Sequence, residues 1–231
     1  MPHNARIVYG RRPHIMGKSL FTLLTLLVAL TAAAQPFPTI ESREKALAAL
    51  EDRDALRRAA GVIYIGRTGL ATDGPLLVKR LADDNPLVRN LAQENVWRVW
   101  SRSGDPVADQ LLAAGIEEMN RGFFQEAIYT FTKVIERKPD FAEAWNKRAT
   151  VLFFSGNLRA SLADCDEVMK RNPQHFGALS GYGQIYFRLD QYDKAIEYFR
   201  RALDVNPNLV DLETAIREIE KLQQEKRGRS I

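Results

Sequence analysis

The residues of this chain whose types could do chemistry are few: three histidines, one cysteine and two pairs of neighbouring acids. His3 and His14 fall in an N-terminal stretch expected to be removed, which leaves His175 as the histidine of the mature chain. A catalytic nucleophile needs a base within hydrogen-bond reach and a third group to orient that base. Cys165 stands in no such pattern, and there is no Gly-x-Ser-x-Gly, phosphate loop or dinucleotide fingerprint. No His, Cys and acid cluster has the spacing of metal ligands. Asp83 with Asp84, and Asp164 with Asp166, could in principle share acid–base work. They fall at a turn and on a helix face, where acids are ordinarily solvated. His175 follows a proline, where a structural or solvent-facing role is expected. Cys165 reads as a small buried apolar residue that can form no intramolecular disulfide. The expectation is a protein with no cofactor and no metal, and not an enzyme.

The elements that position these residues repeat. Pro139, Pro173 and Pro207 are 34 residues apart. Twelve residues before each stands a small residue, Ala127, Ser161 or Ala195, and twelve before those another, Gly115, Ala149 or Gly183. Turn residues recur at Gly122, Gly156 and Asp190, and large apolar ones at Phe131 and Phe199, with Cys165 at the middle position. The spacing predicts helix hairpins: first helices over about 108–121, 142–155 and 176–189, second helices over about 124–137, 158–171 and 192–205. Small residues facing each other let the two helices of a hairpin approach closely. Each proline lacks the N–H to continue a helix and restricts the residue before it, so each unit stops there. One hairpin cannot bury its apolar face alone, and stacking supplies the missing partner.

These three units resemble tetratricopeptide repeats, over 106–139, 140–173 and 174–207, within a region spanning 105–207. Trp145 stands where the family has an aromatic, Tyr182 and Arg148 where it usually has Leu. The resemblance implies that Arg148 in a first helix pairs with Asp164 or Asp166 in a second, as in co-chaperone-type repeats.

The formal net charge of +4 suggests acidic partners until its location is read. Residues 1–34 carry Arg6, Arg11, Arg12 and Lys18 with no acid, and they account for the whole excess. The rest is balanced and shows no basic stripe for nucleic acid. The basic start leads into the apolar run Leu20–Leu30 and then Ala32-Ala33-Ala34, which reads as a signal peptide over 1–34. Met16 is an alternative start. The chain is then exported, to the periplasm in a bacterial source. The rival readings are an uncleaved anchor over 19–34 and an organellar transit peptide. Residues 35–40, with Pro36 and Pro38, form a linker.

Over 41–104, Leu56-Arg57-x-x-Ala60 is echoed by Val88-Arg89-x-x-Ala92. Glycine-rich and acid-rich turns lie between them, and prolines start the following helices. This segment resembles short HEAT-like repeats; a plain helical cap on the array is the other reading. Gly104 is expected to end a helix and Asp105 to cap the next. After Pro207, Leu212, Ala215, Ile216, Ile219 and Leu222 share one face of a capping helix over 208–226, followed by a tail at 227–231. The fold class is all-α, an α-solenoid of antiparallel helix hairpins.

The resemblance implies that the first helices line a concave face. By repeat register this groove takes Leu112, Ile116, Met119 and Asn120 from unit one. Unit two gives Asn146, Thr150, Phe153 and Phe154, and unit three gives Ser180, Gln184, Phe187 and Arg188. The family's clamp for acidic C-terminal peptides needs Lys, Asn and Arg on these helices. Leu112, Ile116, Gly177 and Gly181 stand at those places, so chaperone-tail binding is not expected. An apolar, aromatic groove suits an extended peptide or an amphipathic helix; equally, Phe153, Phe154 and Phe187 could pack against the chain's own helices. The first function reading is an exported scaffold that holds a protein or peptide partner in a cell-envelope assembly. No nucleic acid is involved, and a membrane is met only through an uncleaved leader. The second is a structural or self-associating solenoid, a homo-oligomer with no external peptide.

Overall fold

Three hairpins follow the proline period. The structure of the chain, a computed structural model, describes residues 37–228. The signal-peptide reading therefore lies outside the described residues. The hairpins are α5 (Pro106–Asn120) with α6 (Phe124–Arg137), α7 (Ala142–Phe154) with α8 (Leu158–Arg171), and α9 (Phe176–Arg188) with α10 (Tyr192–Val205). Gly122 and Gly156 make the turns inside the first two at φ +79° and +80°. Asp190 takes the same left-handed role at φ 56° in the third, a conformation that a short polar side chain tolerates. The expected crossings occur. A Cβ added to Gly183 would lie 2.4 Å from the Phe199 ring, and one on Gly115 would lie 2.6 Å from the Phe131 ring. In the middle hairpin the Ser161 hydroxyl donates to the Ala149 carbonyl at 2.7 Å.

Before the hairpins lie α1 (Arg43–Leu50), α2 (Ala55–Thr68), α3 (Gly74–Val78) and α4 (Pro86–Trp100). Ser42, Asp54 and Asn85 cap α1, α2 and α4 through their side-chain oxygens. Two details differ from expectation. The helix begun at Gly74-Pro75 is five residues long and passes into a 3-10 turn at Lys79–Ala82. Gly104 does not terminate α4, which ends at Trp100; it sits in the connecting loop at φ +81°. Asp105 does cap α5, accepting from the Val107 and Ala108 N–H groups at 2.9 and 3.2 Å.

This N-terminal layer does not merely precede the stack. Val62, Ile65, Leu81, Val96 and Trp100 share one core with Phe176, Leu179 and Ala202 of the third repeat. The Asn208 side-chain amide donates to the Leu81 carbonyl at 2.8 Å, 127 residues away in sequence. The layer thus docks where Pro173 and Pro207 stop the second helices. From Phe37 onward the chain forms one compact unit. The last helix, α11 (Val210–Gly228), continues two residues past the expected end. It buries Ile216 and Ile219 against Ala195, Ile196 and Phe199. Leu222 is not sealed with them and stays 38% exposed at the rim.

Candidate binding groove

Two clefts flank Phe153 and Gln184. The first, of about 240 Å³ between α7 and α9, is lined by Asn146, Thr150, Phe153, Phe154, Gly177, Gly181 and Gln184, with Cys165 among its walls. The second, of about 350 Å³ between α9 and α11, takes Phe187, Arg188, Phe199, Ile219 and Leu222. The structure therefore brings together the expected residues of units two and three except Ser180, which lines neither cleft and whose hydroxyl donates to the Phe176 carbonyl at 2.8 Å. Phe154 is 53% exposed and Phe187 41% exposed. The Phe154 ring stacks on Phe124 at 6.2 Å. Phe153 is half-buried, with the Arg188 guanidinium 4.3 Å from its ring centre.

Unit one does not join them. Leu112 is 2% exposed and lies in the core with Phe131, Val134 and Val151. Ile116 and Met119 pack half-buried on the same core. The register places position 112 toward α7 rather than toward the open face. Its equivalent one repeat later, Asn146, is also buried, and its amide donates to Glu143 Oε2 at 3.1 Å. Asn146 is thus an edge of the cleft, not a free hydrogen-bonding arm. The Thr150 hydroxyl is likewise used, donating to the Asn146 carbonyl at 2.9 Å.

Three groove features were not assigned from sequence. Gly177 and Gly181, noted for the cations they are not, make the space itself, because no side chain rises from that face of α9. Trp97 of α4 closes one end: a Cβ on Gly177 would lie 2.6 Å from its ring, and the Lys147 ammonium sits 5.6 Å above that ring. A contact spanning 80 residues leaves no local pattern. Cys165 belongs to the same cleft, yet burial, followed by the nearby Asp164 and Asp166 charges, pushes its thiol up to about 12. It stays a protonated thiol at neutral pH and is no nucleophile.

Behind the closed end lies the buried pair Glu143 and His175. His175 Nδ1 accepts from the Ala178 N–H at 3.1 Å, so Nε2 carries the proton and faces Glu143 Oε2 at 2.9 Å. Trp100 stacks on the imidazole at 4.3 Å between centres and 18° between planes. His175 is structural, as expected, but it is wholly buried and not solvent-facing. Both ring nitrogens are engaged, which leaves no lone pair for base catalysis. Burial pushes the Glu143 carboxyl up, but Lys147, 3.1 Å away, and His175 outweigh it and hold the group below the usual carboxylate range.

One acid of each pair also differs from expectation, while Asp84 and Asp166 are exposed as expected. Asp83 is buried and bound by Arg58, and Asp164 is buried and takes a bidentate pair of 2.8 Å bonds from Arg148. The Arg148 partner is therefore Asp164, while Asp166 accepts from the Tyr182 hydroxyl. Burial pushes the Asp83 carboxyl up, but bonds from Arg58 and the Asn85 N–H hold it below its ordinary value. Because the folded values of Asp83 and Glu143 lie below the unfolded ones, their stabilisation is present near neutrality. It is lost as pH falls through the folded values. Unfolding free energy should be flat near neutrality and drop below about pH 4. Urea titrations across pH check this, and Glu143→Gln should remove part of the drop. Among the described residues, no group of three or more His, Cys, Asp or Glu is placed to hold a metal, and no helix is long and apolar enough to cross a membrane.

Comparison with known proteins follows the same geometry. Tetratricopeptide-repeat family models match residues 112–168 and 178–209. A TPR repeat-containing protein of Rhizobium etli is 33% identical over 108 residues, covering 47% of this chain and 53% of that protein. Hsp70-Hsp90 organizing protein 1 of Glycine max is 27% identical over 156 residues, covering 67% of this chain and 26% of that protein. The chain thus spans about half the length of the first relative and about a quarter of the second. The first TPR domain of human RPAP3 has a similar fold at TM-score 0.50 and 24% identity, covering 52% of this chain and 95% of that one. The Sgt2 TPR domain from Aspergillus fumigatus does so at TM-score 0.50 and 20% identity, covering 53% and 83%. With three hairpins in the repeat period and two family matches laid over them, this chain carries tetratricopeptide repeats over residues 112–168 and 178–209.

Proposed function

We propose that this protein is an exported, non-catalytic scaffold whose groove holds a segment of a partner protein in a cell-envelope assembly. The observation that carries the reading is the state of the groove phenylalanines. The N-terminal layer, proposed here as a HEAT-like segment, spends Trp97 and Trp100 on the third repeat. It leaves Phe154 and Phe187 exposed, each beside an open cleft. Large aromatic rings beside a pocket are the side chains that most often anchor a protein partner. Similarity to Hsp70-Hsp90 organizing proteins supports a protein or peptide ligand. A chaperone tail is disfavoured, because Gly177 and Gly181 offer no cation and Trp97 occupies the space beside Gly177.

Export rests on the basic, apolar and small-residue order of residues 1–34. N-terminal sequencing of the protein recovered from source cells tests it. A mature start at Gln35 in the soluble envelope fraction supports export and cleavage. A start at Met1 or Met16 in the membrane fraction would replace it with an anchor over 19–34, and recovery from the cytosol would contradict export. A mass that rises with concentration, with no bound partner, would favour the self-associating solenoid.

A further inference from the structure

Away from the groove, a cavity of about 290 Å³ lies where the N-terminal layer meets one end of the second hairpin. Thr72 and Pro75 line it from the layer, Asp140 and Glu143 from the start of α7, and Arg171 from the end of α8. Trp100 and His175 complete its wall. Two of these buried side chains leave a polar atom without a hydrogen bond. The Trp100 indole N–H has no acceptor among the described residues, although the ring is 2% exposed. Gly74, between Thr72 and Pro75, has no side chain to cover that N–H; a Cβ there would lie 2.2 Å from Nε1. Glu143, 1% exposed, accepts at Oε2 from His175 and Asn146, whereas its Oε1 accepts no hydrogen bond. Lys147 meets Oε1 as an ion pair at 3.1 Å, without hydrogen-bond geometry. Buried polar atoms are ordinarily paired. An orphan donor and an orphan acceptor in the wall of one cavity call for a ligand that supplies both partners.

The two side chains are one imidazole apart. His175 stacks on Trp100 at 4.3 Å between centres and reaches Glu143 Oε2 at 2.9 Å. A single small molecule can therefore meet both. Charge narrows its chemistry. The ions at the wall are paired, Lys138 with Asp140, Lys147 with Glu143 and Arg171 with Glu167. The site is balanced, so it offers no excess of either sign to a ligand with net charge. Inside it, donors and acids are separate groups. Arg171 spends Nε and Nη1 on the Pro139 carbonyl and on Glu167, which leaves Nη2 as a second donor for a carboxylate. Asp140, exposed at the mouth, stands with Glu143 for an ammonium. A ligand with only one of these two groups would leave the other orphan atom unpaired.

We infer that this cavity binds a free α-amino acid, its carboxylate on the Trp100 N–H and Arg171, its ammonium on Glu143 and Asp140. Calorimetry tests it with the full chain and each protein amino acid in turn at millimolar concentration. The amine and the carboxylic acid that each lack one charged group of the best binder serve as probes beside it. An amino acid should bind at one site per chain. Its amine and its acid should each bind about tenfold or more weakly, the effect of losing a charge-assisted hydrogen bond. Arg171→Gln should weaken the amino acid and leave the amine unchanged. Glu143→Gln should weaken the amino acid and leave the carboxylic acid unchanged; Asp140→Asn, at an exposed position, replaces it if that variant does not fold. In NMR spectra the Trp100 indole N–H, identified by its loss in Trp100→Phe, should move downfield on saturation. Phe153→Ala/Phe187→Glu should bind as the wild type does, because the groove lies elsewhere. No binding by any amino acid, equal binding of the amine or the carboxylic acid, or an unmoved Trp100 N–H would overturn the inference. Affinity unchanged in both Arg171→Gln and the acid variant would overturn it as well.

Discussion

Arg58→Ala is expected to destabilise the protein by about 3–5 kcal/mol, the effect of removing one partner from a buried ion pair. Arg58 Nε and Nη2 donate to the two Asp83 oxygens at 2.9 and 2.8 Å. Its Nη1 donates to the Asp52 and Arg53 carbonyls at 3.0 and 2.9 Å. One side chain thus ties the loop before α2 to the loop before α4. Its loss leaves the Asp83 carboxylate, whose side chain is 2% exposed, without its principal cation. Arg80 lies 3.6 Å from Asp83 and supplies a weaker substitute. Arg58→Lys keeps the charge but not the planar fork, so an intermediate loss is expected. Urea unfolding of the full chain followed by circular dichroism measures both. A loss below about 1 kcal/mol for Arg58→Ala, the level of an exposed pair, would show that this contact does not hold the layer together.

Trp100→Ala is expected to cost about 3–5 kcal/mol, the range for truncating a buried large aromatic. The indole is 2% exposed and stacks on His175, with Phe176 5.1 Å away between ring centres. It belongs to the core shared by the N-terminal layer and the third repeat. The form of the transition is as informative as its midpoint. A shared core predicts one cooperative transition that moves to lower urea concentration. Wild-type unfolding in two separate steps, with only the earlier one shifted by the substitution, would mean that layer and array are independent.

The array was legible in the sequence because its signals are local and repeated. Prolines, small crossing residues and turn residues 34 apart fixed the six hairpin helices to within one or two residues at most ends. Arg148 with Asp164 was readable for the same reason, being 16 residues apart across one hairpin. What was not legible depends on long-range closure. Trp97 and Trp100 look like ordinary apolar positions of α4 until the layer folds back onto residues 175–177. Asp83-Asp84 looks like a solvated turn until Arg58 reaches it from 25 residues away. The groove was half legible. Repeat register found Phe153, Phe154, Gln184, Phe187 and Arg188, because units two and three present the same face. It misplaced Leu112, Ile116 and Met119, because register gives a residue's phase on its helix but not which neighbour covers that phase.

The central claim is that the two open clefts flanking Phe153, with the phenylalanines that line them, are the surface that binds a partner. The most direct measurement is a pull-down from envelope extract with the wild-type chain and with Phe153→Ala/Phe187→Glu, both folded by circular dichroism. The account predicts a protein retained by the wild type and lost by the double variant. Equal retention by both would contradict it and move the working surface to the convex face or to the N-terminal layer.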